Sequence, residues 1–405
     1  MNHLSVEQQS LLILLQQSLW RKSDQLPEKI NWEFVDKYAT QQGVVALAYD
    51  GATTLKADLP TELRQKWSQK TLMGVMKNER LLVAQDMVLG WLAQHGIPAV
   101  ILKGSSVSRF YPQPDLRVLG DIDILIPEEN IPQAKDIMLQ NGYTFHESDH
   151  EFHLGFSKPG AYVEIHYNVT TLPNCQGADA TQAEITHFLD VQQKACVVGH
   201  NFPVLVQHYQ SLSLLLHMVR HMVSGGIGLR QLCDWTVHVA NTDLAEFIKF
   251  TIPMLEKCGL LRYAQVATWA CVRYLGLPRK YATWCESVSD AHAFAFLQDV
   301  FRGGNMGSAD PEKMGRALSH SNATGDKQSF SKMVLSSLTE LVFRNFPFVK
   351  KYKVLLPLFW IYLPIRYWIR SLFGVREKKS LITAAKNAKI QQDFYNMLGI
   401  FDAQG

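Results

Sequence analysis

The stretch Gly120–Ile126, which reads GDIDILI, alternates acidic and branched apolar residues. Alternation with a period of two predicts a β-strand, because successive side chains of a strand point to opposite faces. Asp121 and Asp123 would project from one face, and Ile122 and Ile124 would point into a core. Two carboxylates this close repel each other unless something cationic lies between them. The stretch therefore predicts a strand that carries an oxygen-ligated site for a divalent cation, Mg²⁺ or Mn²⁺.

A second strand and a glycine turn precede this stretch. Residues 99–102 form a short apolar run that is typical of a buried strand, and Lys103-Gly104-Ser105-Ser106 follows it. Glycine lets the backbone approach a ligand closely, and Ser105 is predicted to cap a short helix that reaches residue 110. The backbone N–H groups at the start of such a helix favour a phosphate.

The residues after the acidic stretch predict a helix and then a hairpin. Residues 131–140 have a helical period, and the apolar runs 152–156 and 162–167 are joined by the turn-forming residues 157–160. Glu164 and His166 would share one face of the second hairpin strand. If that strand lies beside the first, Glu164 becomes a third carboxylate of the same metal site.

These motifs together resemble those of the DNA polymerase β-like nucleotidyltransferases. The shared pattern is Leu-Lys-Gly-Ser at 102–105, then Arg117-x-x-x-Asp121-x-Asp123, then Val-Glu164-Ile-His166. The phrases LKG, YPQPDLRVLGDIDILI, NGY and VEIHYN are closest to those of a family of largely uncharacterised bacterial nucleotidyltransferases. The resemblance covers about residues 99–168.

The resemblance implies an enzyme that moves a nucleoside monophosphate from an NTP to an acceptor. Asp121 and Asp123 would bind two Mg²⁺ ions, and Glu164 would bind the catalytic metal and help to activate the acceptor hydroxyl. The remaining nucleotide-binding candidates are Lys103, Gly104, Ser105, Ser106, Arg117 and His166. The acceptor stays open between a sugar phosphate or other small molecule, a protein side chain and an RNA end.

The flanking sequence predicts an α+β protein in which a small mixed β-sheet core is embedded in a mostly α-helical chain. Apolar stripes predict helices on both sides of the core, and Gly96 and Pro98 end the stretch that precedes it. The later helices are predicted over 180–193, 207–223, 227–240, 243–257 and 260–275. The predicted regions are an N-terminal helical region (1–95), the α/β core (96–175), a helical domain (176–302), a linker (303–330) and a basic aromatic C-terminal region (331–405).

Other polar residues have simpler interpretations. His217 and His221 share a helix face but lack a third metal ligand nearby, so structural histidines or a face lining the active cleft both fit. Arg220 or Arg230 would touch phosphate in the second case, although an ion pair between Arg230 and Asp234 is the simpler expectation. The glycine-rich loop 224–228 is expected to join two helices. The three histidines between residues 146 and 153 match no metal pattern on a strand.

Charge is unevenly distributed along the 405 residues. The net charge of the whole chain is +3, but residues 344–389 carry eleven Lys or Arg residues and one acid, Glu377. That segment is +10 and the rest is −7. The near balance argues against a dedicated nucleic-acid binder. Aromatic residues among these basic ones also favour an anionic membrane surface or RNA, beside ordinary packing on the core.

The sequence predicts a protein of a reducing compartment. The six cysteines include no CxxC pair, no secretory signal is evident, and no apolar run reaches the length of a membrane span. The expectation is a cytoplasmic protein, with residues 344–389 as a peripheral membrane contact. The alternative to an enzyme is a non-catalytic binding module of the same fold, recruited to a membrane surface or a partner assembly. The oligomeric state stays open.

Overall fold

The computed structural model describes residues 4–22, 25–146, 152–170, 176–305, 339, 342, 346, 348–360, 362 and 393–400. The chain is mostly helical and contains one mixed sheet of seven strands, which confirms the predicted α+β class. Cys175 and most of the basic segment 344–389 lie outside these residues, so the membrane-contact prediction does too. Among the described residues, no helix is both long enough and apolar enough to cross a membrane.

Helices precede, interrupt and follow the sheet. They are α1 (Val6–Trp20), α2 (Trp32–Gln41), α3 (Val45–Thr54), α4 (Thr61–Gln94), α5 (Ser105–Ser108), α6 (Ile131–Gln140), α7 (Gln176–Ile185), α8 (Gln207–Ser224), α9 (Leu229–Ala240), α10 (Leu244–Glu246), α11 (Ile252–Lys257), α12 (Leu261–Tyr274), α13 (Asp290–Gly303) and α14 (Phe348–Lys351). A π-helical turn, Phe247–Thr251, joins α10 to α11. Helix α4 ends where it was predicted to end, and Gly96 has a φ of +71° that suits glycine.

The sheet has the strand order β3-β4-β5-β2-β1-β7-β6. Its strands are β1 (Val100–Ile101), β2 (Ile122–Leu125), β3 (Thr144–His146), β4 (His153–Lys158), β5 (Ala161–His166), β6 (Gln192–Val197) and β7 (His200–Leu205). The predicted hairpin is β4 and β5, with a tighter turn than expected, since only Pro159 and Gly160 separate the strands. Strands β2 and β5 are parallel and hydrogen-bonded neighbours.

The last two strands were missed by the sequence analysis. Residues 180–193 were predicted to be helical, but α7 ends at Ile185 and β6 begins at Gln192. Strand β7 then pairs in parallel with β1, with Ile101 opposite Val204. The sheet therefore extends beyond residue 175, into the region expected to be only helical.

The two faces of the sheet pack against different groups of helices. Ile122, Ile124 and Val163 belong to a buried cluster with apolar residues of α4 and α6. Val100 and Leu125 belong to a larger cluster that includes α1, α3, α8, α9 and α12. Burial of these side chains is the main favourable contribution to folding. The larger cluster includes Leu125, which is on the same face of β2 as Asp123. Helices α8 and α9 therefore cover the face of the sheet that carries the acidic residues.

Candidate metal and nucleotide site

The register of the parallel strands brings the three predicted carboxylates together. Asp123 of β2 lies opposite Glu164 of β5, and Asp121 immediately precedes β2 on the same face. One carboxylate oxygen from each of the three lies within 4.8 Å of the other two. That spacing is compatible with shared coordination of a divalent cation, whose oxygen ligands sit about 2.0 to 2.1 Å from Mg²⁺.

Lys103 supplies the positive charge of this cluster. Its Nζ lies 2.9 Å from Asp123 Oδ1 and 3.9 Å from Asp121 Oδ2. Burial opposes the charged form, but Asp123, Asp121 and Glu164 outweigh it and raise the pKa of Lys103. One lysine cannot balance three carboxylates alone, and Arg220 is close enough for its charge to interact with all three.

An unpaired oxygen of Asp123 indicates that the three carboxylates suit a cation. The side chain of Asp123 is fully buried, and its Oδ2 atom has no hydrogen-bond partner among the described residues. A buried, unsatisfied carboxylate oxygen is costly unless a cation or water fills the space beside it. The carboxylates therefore form a chemically suitable set of hard ligands for Mg²⁺ or Mn²⁺.

Histidine 166 holds two of the carboxylates in place. Its Nε2 lies 3.1 Å from Asp123 Oδ1 and 3.2 Å from Glu164 Oε2. Burial lowers the pKa of His166, but its hydrogen bonds to both carboxylates outweigh this and raise the pKa. Burial likewise raises the pKa of Glu164, but the hydrogen bond from His166 and the charge of Lys103 lower it to about 2. Glu164 is therefore ionised at neutral pH.

The glycine turn is present, and its serines face inward. Gly104 has a φ of +68°, which strongly favours glycine, and it caps α5 in the place where Ser105 was predicted. The Ser105 hydroxyl instead donates to Gln85 of α4, and the Ser106 hydroxyl donates to the carbonyl of Leu102. Both serines are buried, and they support the turn through these bonds.

Arg117 forms a buried ion pair that the sequence did not predict. Its guanidinium donates to both oxygens of Asp234 in α9, at 3.0 and 2.6 Å, and Tyr111 donates to the same carboxylate. The expected ion pair between Arg230 and Asp234 is thus replaced by a pair with Arg117. The ion pair fastens the segment before β2 to the helical part of the chain.

Asparagine 78 of α4 fixes the same segment from the other side. Its amide group donates to the carbonyls of Asp115 and Arg117, and its oxygen accepts from the N–H of Leu119. These bonds satisfy three backbone groups of an irregular segment and set the approach to Asp121.

A cavity of about 230 Å³ lies between the glycine turn and helices α8 and α9. The polar residues that line it are Lys103, Arg117, Asp121, His217, His221, Arg230, Gln231, Asp234 and Asn305. Burial, with Lys103 next, lowers the pKa of His217 well below its usual value and that of His221 to about 3. Both imidazoles are therefore neutral at pH 7. His217 and His221 line a cavity that Asp121 also lines, and its role as the active cleft stays a prediction.

Arg230 of α9 also lines this cavity. It is largely buried, its terminal nitrogen lies 3.5 Å from the carbonyl of Val118, and its Nε has no hydrogen-bond partner among the described residues. Burial and Arg117 lower its pKa, although an arginine remains charged at neutral pH. The sequence signal was only its position one helical turn before Asp234.

The glycine-rich loop between α8 and α9 is a packing element, as expected. Gly226 has a φ of +110°, and a Cβ there would lie 2.6 Å from the backbone of Gly303. The loop lets α13 approach these helices closely.

The family assignment agrees with this geometry. A model of an uncharacterised nucleotidyltransferase family matches residues 28–276, which is more than half of the chain. The chain belongs to this family. The match covers the chain from α2 to α12. It therefore includes the whole sheet and the helices α8 and α9 that cover the acidic residues. Comparisons with curated proteins and with solved structures gave no match.

Proposed function

We propose that this nucleotidyltransferase moves a nucleoside monophosphate from an NTP to an acceptor hydroxyl or phosphate, with Mg²⁺ or Mn²⁺ as the cofactor. The observation that carries the proposal is the approach of the three carboxylate side chains to within 4.8 Å, in a chain of this family. Nucleotidyl transfer requires negative charge on the phosphates to be neutralised where the bond is exchanged.

Asp121, Asp123 and Glu164 are the proposed cation ligands. Bound Mg²⁺ or Mn²⁺ would stabilise the attacking and leaving oxygens of an in-line displacement at the α-phosphate. The low pKa of Glu164 keeps this residue in the ligand form across the physiological range. His166 orients Asp123 and Glu164 through one nitrogen, and Lys103 offsets part of their charge.

The cavity beside Gly104 is the proposed place for the phosphates. Arg117 is held by both oxygens of Asp234, so Arg230 has the guanidinium that is better suited to a new anionic partner. Neutral His217 and His221 can each donate an N–H to a phosphate oxygen. The proposed phosphate site thus joins the glycine turn of the sheet to helices α8 and α9. In this proposal Ser105 and Ser106 support the turn.

Position-specific labels test the reaction type. The purified protein would be incubated with Mg²⁺ and each NTP, labelled at the α- or the γ-phosphate, together with a small-molecule, protein or RNA fraction of a bacterial extract. We expect the α-label to enter one fraction and the γ-label to leave as pyrophosphate. Transfer of the γ-label would indicate a phosphotransferase. Failure of every NTP and fraction would contradict the proposal and favour the non-catalytic module.

A further inference from the structure

A second cluster of metal-ligating side chains lies beside the carboxylates. His153 of β4 is directly opposite His166 of β5, and Glu164 lies two residues before His166 on the same face. One ligand atom from each of the three residues lies within 4.8 Å of the other two. The histidines are almost completely buried, at 4% and 2% exposure. The turn at Pro159 and Gly160 sets this pairing, and the turn predicted over 157–160 did not point to His153.

We propose that His153, Glu164 and His166 bind a divalent transition-metal ion, with Glu164 shared between this ion and the site of Asp121 and Asp123. Two imidazole nitrogens and a carboxylate suit Mn²⁺, Fe²⁺, Co²⁺ or Zn²⁺, whereas Mg²⁺ takes oxygen ligands. The inference extends the proposed function, because it concerns the cations held at that site, but it does not depend on nucleotidyl transfer.

The orientation of His166 supports this assignment. Its Nδ1 lies 3.3 Å from the carbonyl oxygen of Asn168, which can only accept a hydrogen bond. The Nδ1 atom therefore carries a proton, and in the neutral ring the lone pair is on Nε2. In the metal-free protein a proton on Nε2 is shared with Asp123 and Glu164, and a bound metal ion would take the place of that proton on the lone pair. A cation between them satisfies all three, and a backbone carbonyl behind the ring is the usual support of a metal-ligating histidine.

The two oxygens of Glu164 face different partners. Oε2 lies 3.2 Å from His166 Nε2, and Oε1 lies 3.7 Å from His153 Nε2. This orientation allows the carboxylate to contribute to both ligand groups. The ring of Phe152 stacks on His166 at 5.9 Å between centroids, and the Arg220 guanidinium lies 4.3 Å from the centre of that ring. The apolar ring shields the imidazoles on this side.

Mn²⁺ is the probe for this site, because its electron spin reports nitrogen ligands directly. Full-length protein would be titrated with MnCl₂ in excess Mg²⁺, and electron spin echo spectra would be recorded for the bound ion. We expect one Mn²⁺ to remain bound, with modulation from the ¹⁴N nuclei of two imidazoles. Mn²⁺ that binds without nitrogen modulation, or that is fully displaced by Mg²⁺, would overturn the proposal.

Variants identify the ligands. His153→Asn should reduce the depth of the nitrogen modulation and weaken Mn²⁺ binding at least tenfold, and His153→Asn with His166→Asn should abolish the modulation. His146→Asn, in the neighbouring strand β3, is the matched control and should leave both unchanged. Circular dichroism verifies that each variant is folded. A folded His153→Asp variant, which restores a ligand atom, should recover part of the affinity for Mn²⁺. Unchanged modulation in a folded His153→Asn variant contradicts the proposal.

The two proposals fail in different ways. Nitrogen-ligated Mn²⁺ in a protein that transfers no nucleotide would disprove only the proposed reaction. Mg²⁺-dependent transfer by a protein whose bound Mn²⁺ shows no nitrogen ligand would disprove only the second site.

Discussion

Lys103 is the residue on which the charge balance of the acidic cluster depends when no cation is bound. Its ammonium group is close to Asp123 and Asp121, and the Asp123 side chain is completely buried. Removing one partner of a buried ion pair leaves the other charge unsatisfied, which costs about 3–5 kcal/mol. A divalent cation at the same carboxylates would take over this role.

Lys103→Met is therefore expected to make folding stability dependent on divalent cations. In EDTA, the variant should lose about 3 kcal/mol of unfolding free energy, because its carboxylates lack their cationic partner. Addition of Mg²⁺ or Mn²⁺ should recover more stability in the variant than in the wild type, as binding to the folded state requires. Thermal denaturation with and without the cations measures both effects. Equal cation responses of the two proteins would contradict the proposed cation site.

Arg230 is expected to bind phosphate through its guanidinium group. A charge-assisted hydrogen bond contributes about 1.5–3 kcal/mol, so Arg230→Gln should weaken ATP binding roughly 10- to 100-fold. Arg80→Gln is the control, since Arg80 is exposed on α4. Calorimetric titration with ATP and with inorganic tripolyphosphate measures the change. A loss of affinity for ATP alone, with tripolyphosphate unaffected, would place Arg230 away from the phosphates.

At the scale of the elements, the site is assembled by connections between the sheet and the helices. The segment before β2 is hydrogen-bonded to α9 through Arg117, Tyr111 and Asp234. It is hydrogen-bonded to α4 through Asn78. The sequence identified Arg117 as a charged residue near the site but could not identify its partner. The two residues of the ion pair are 117 positions apart, and only the packing of α9 brings them together.

Removing one partner of the buried ion pair should destabilise the fold strongly. Arg117→Met should lower the free energy of unfolding by about 3–5 kcal/mol, because Asp234 is then left buried without its cation. Arg117→Met combined with Asp234→Leu should cost less than the sum of the single changes. Urea denaturation measures these values. Lys66→Met is the control, because Lys66 is half exposed in its pair with Asp36 and should change stability by less than about 1 kcal/mol. Additive effects at Arg117 and Asp234 would contradict the coupling.

At the scale of the whole molecule, local patterns predicted the parts of the site that lie close together along a strand. The alternation at Asp121 and Asp123 and the pattern around Glu164 predicted which side chains share a face, because strand side chains have a period of two. The pairing of β2 with β5, which brings Glu164 to the two aspartates, was only a condition of that prediction. Strand β6 was missed because QQKACV has little apolar periodicity. It is stabilised by its pairing with β7, and no local signal contains that information.

The stability of the whole chain should fall in mild acid. Burial, with Arg109 next, lowers the pKa of His238 in α9 from 6.5 to about 3, and Ser211 of α8 holds the ring at 2.8 Å. Below pH 6.5, His238 therefore binds a proton in the unfolded chain, whereas in the folded chain it stays neutral down to about pH 3. The resulting loss is about 1.4 kcal/mol between pH 7.5 and 5.5. Urea denaturation at the two pH values measures it, and His238→Gln should reduce the difference by this amount. An unchanged difference would mean that His238 is protonated in the fold.

The measurement that tests the central claim most directly is α-label transfer by Asp123→Asn, compared with Asp136→Asn on the exposed face of α6. Asn keeps the shape of Asp123 but removes the negative charge that the cations need. The account predicts that Asp123→Asn lowers the transfer rate at least about 1,000-fold, equivalent to about 4 kcal/mol, while Asp136→Asn retains the wild-type rate. A folded Asp123→Asn variant that transfers the label at the wild-type rate would contradict the assignment of the site.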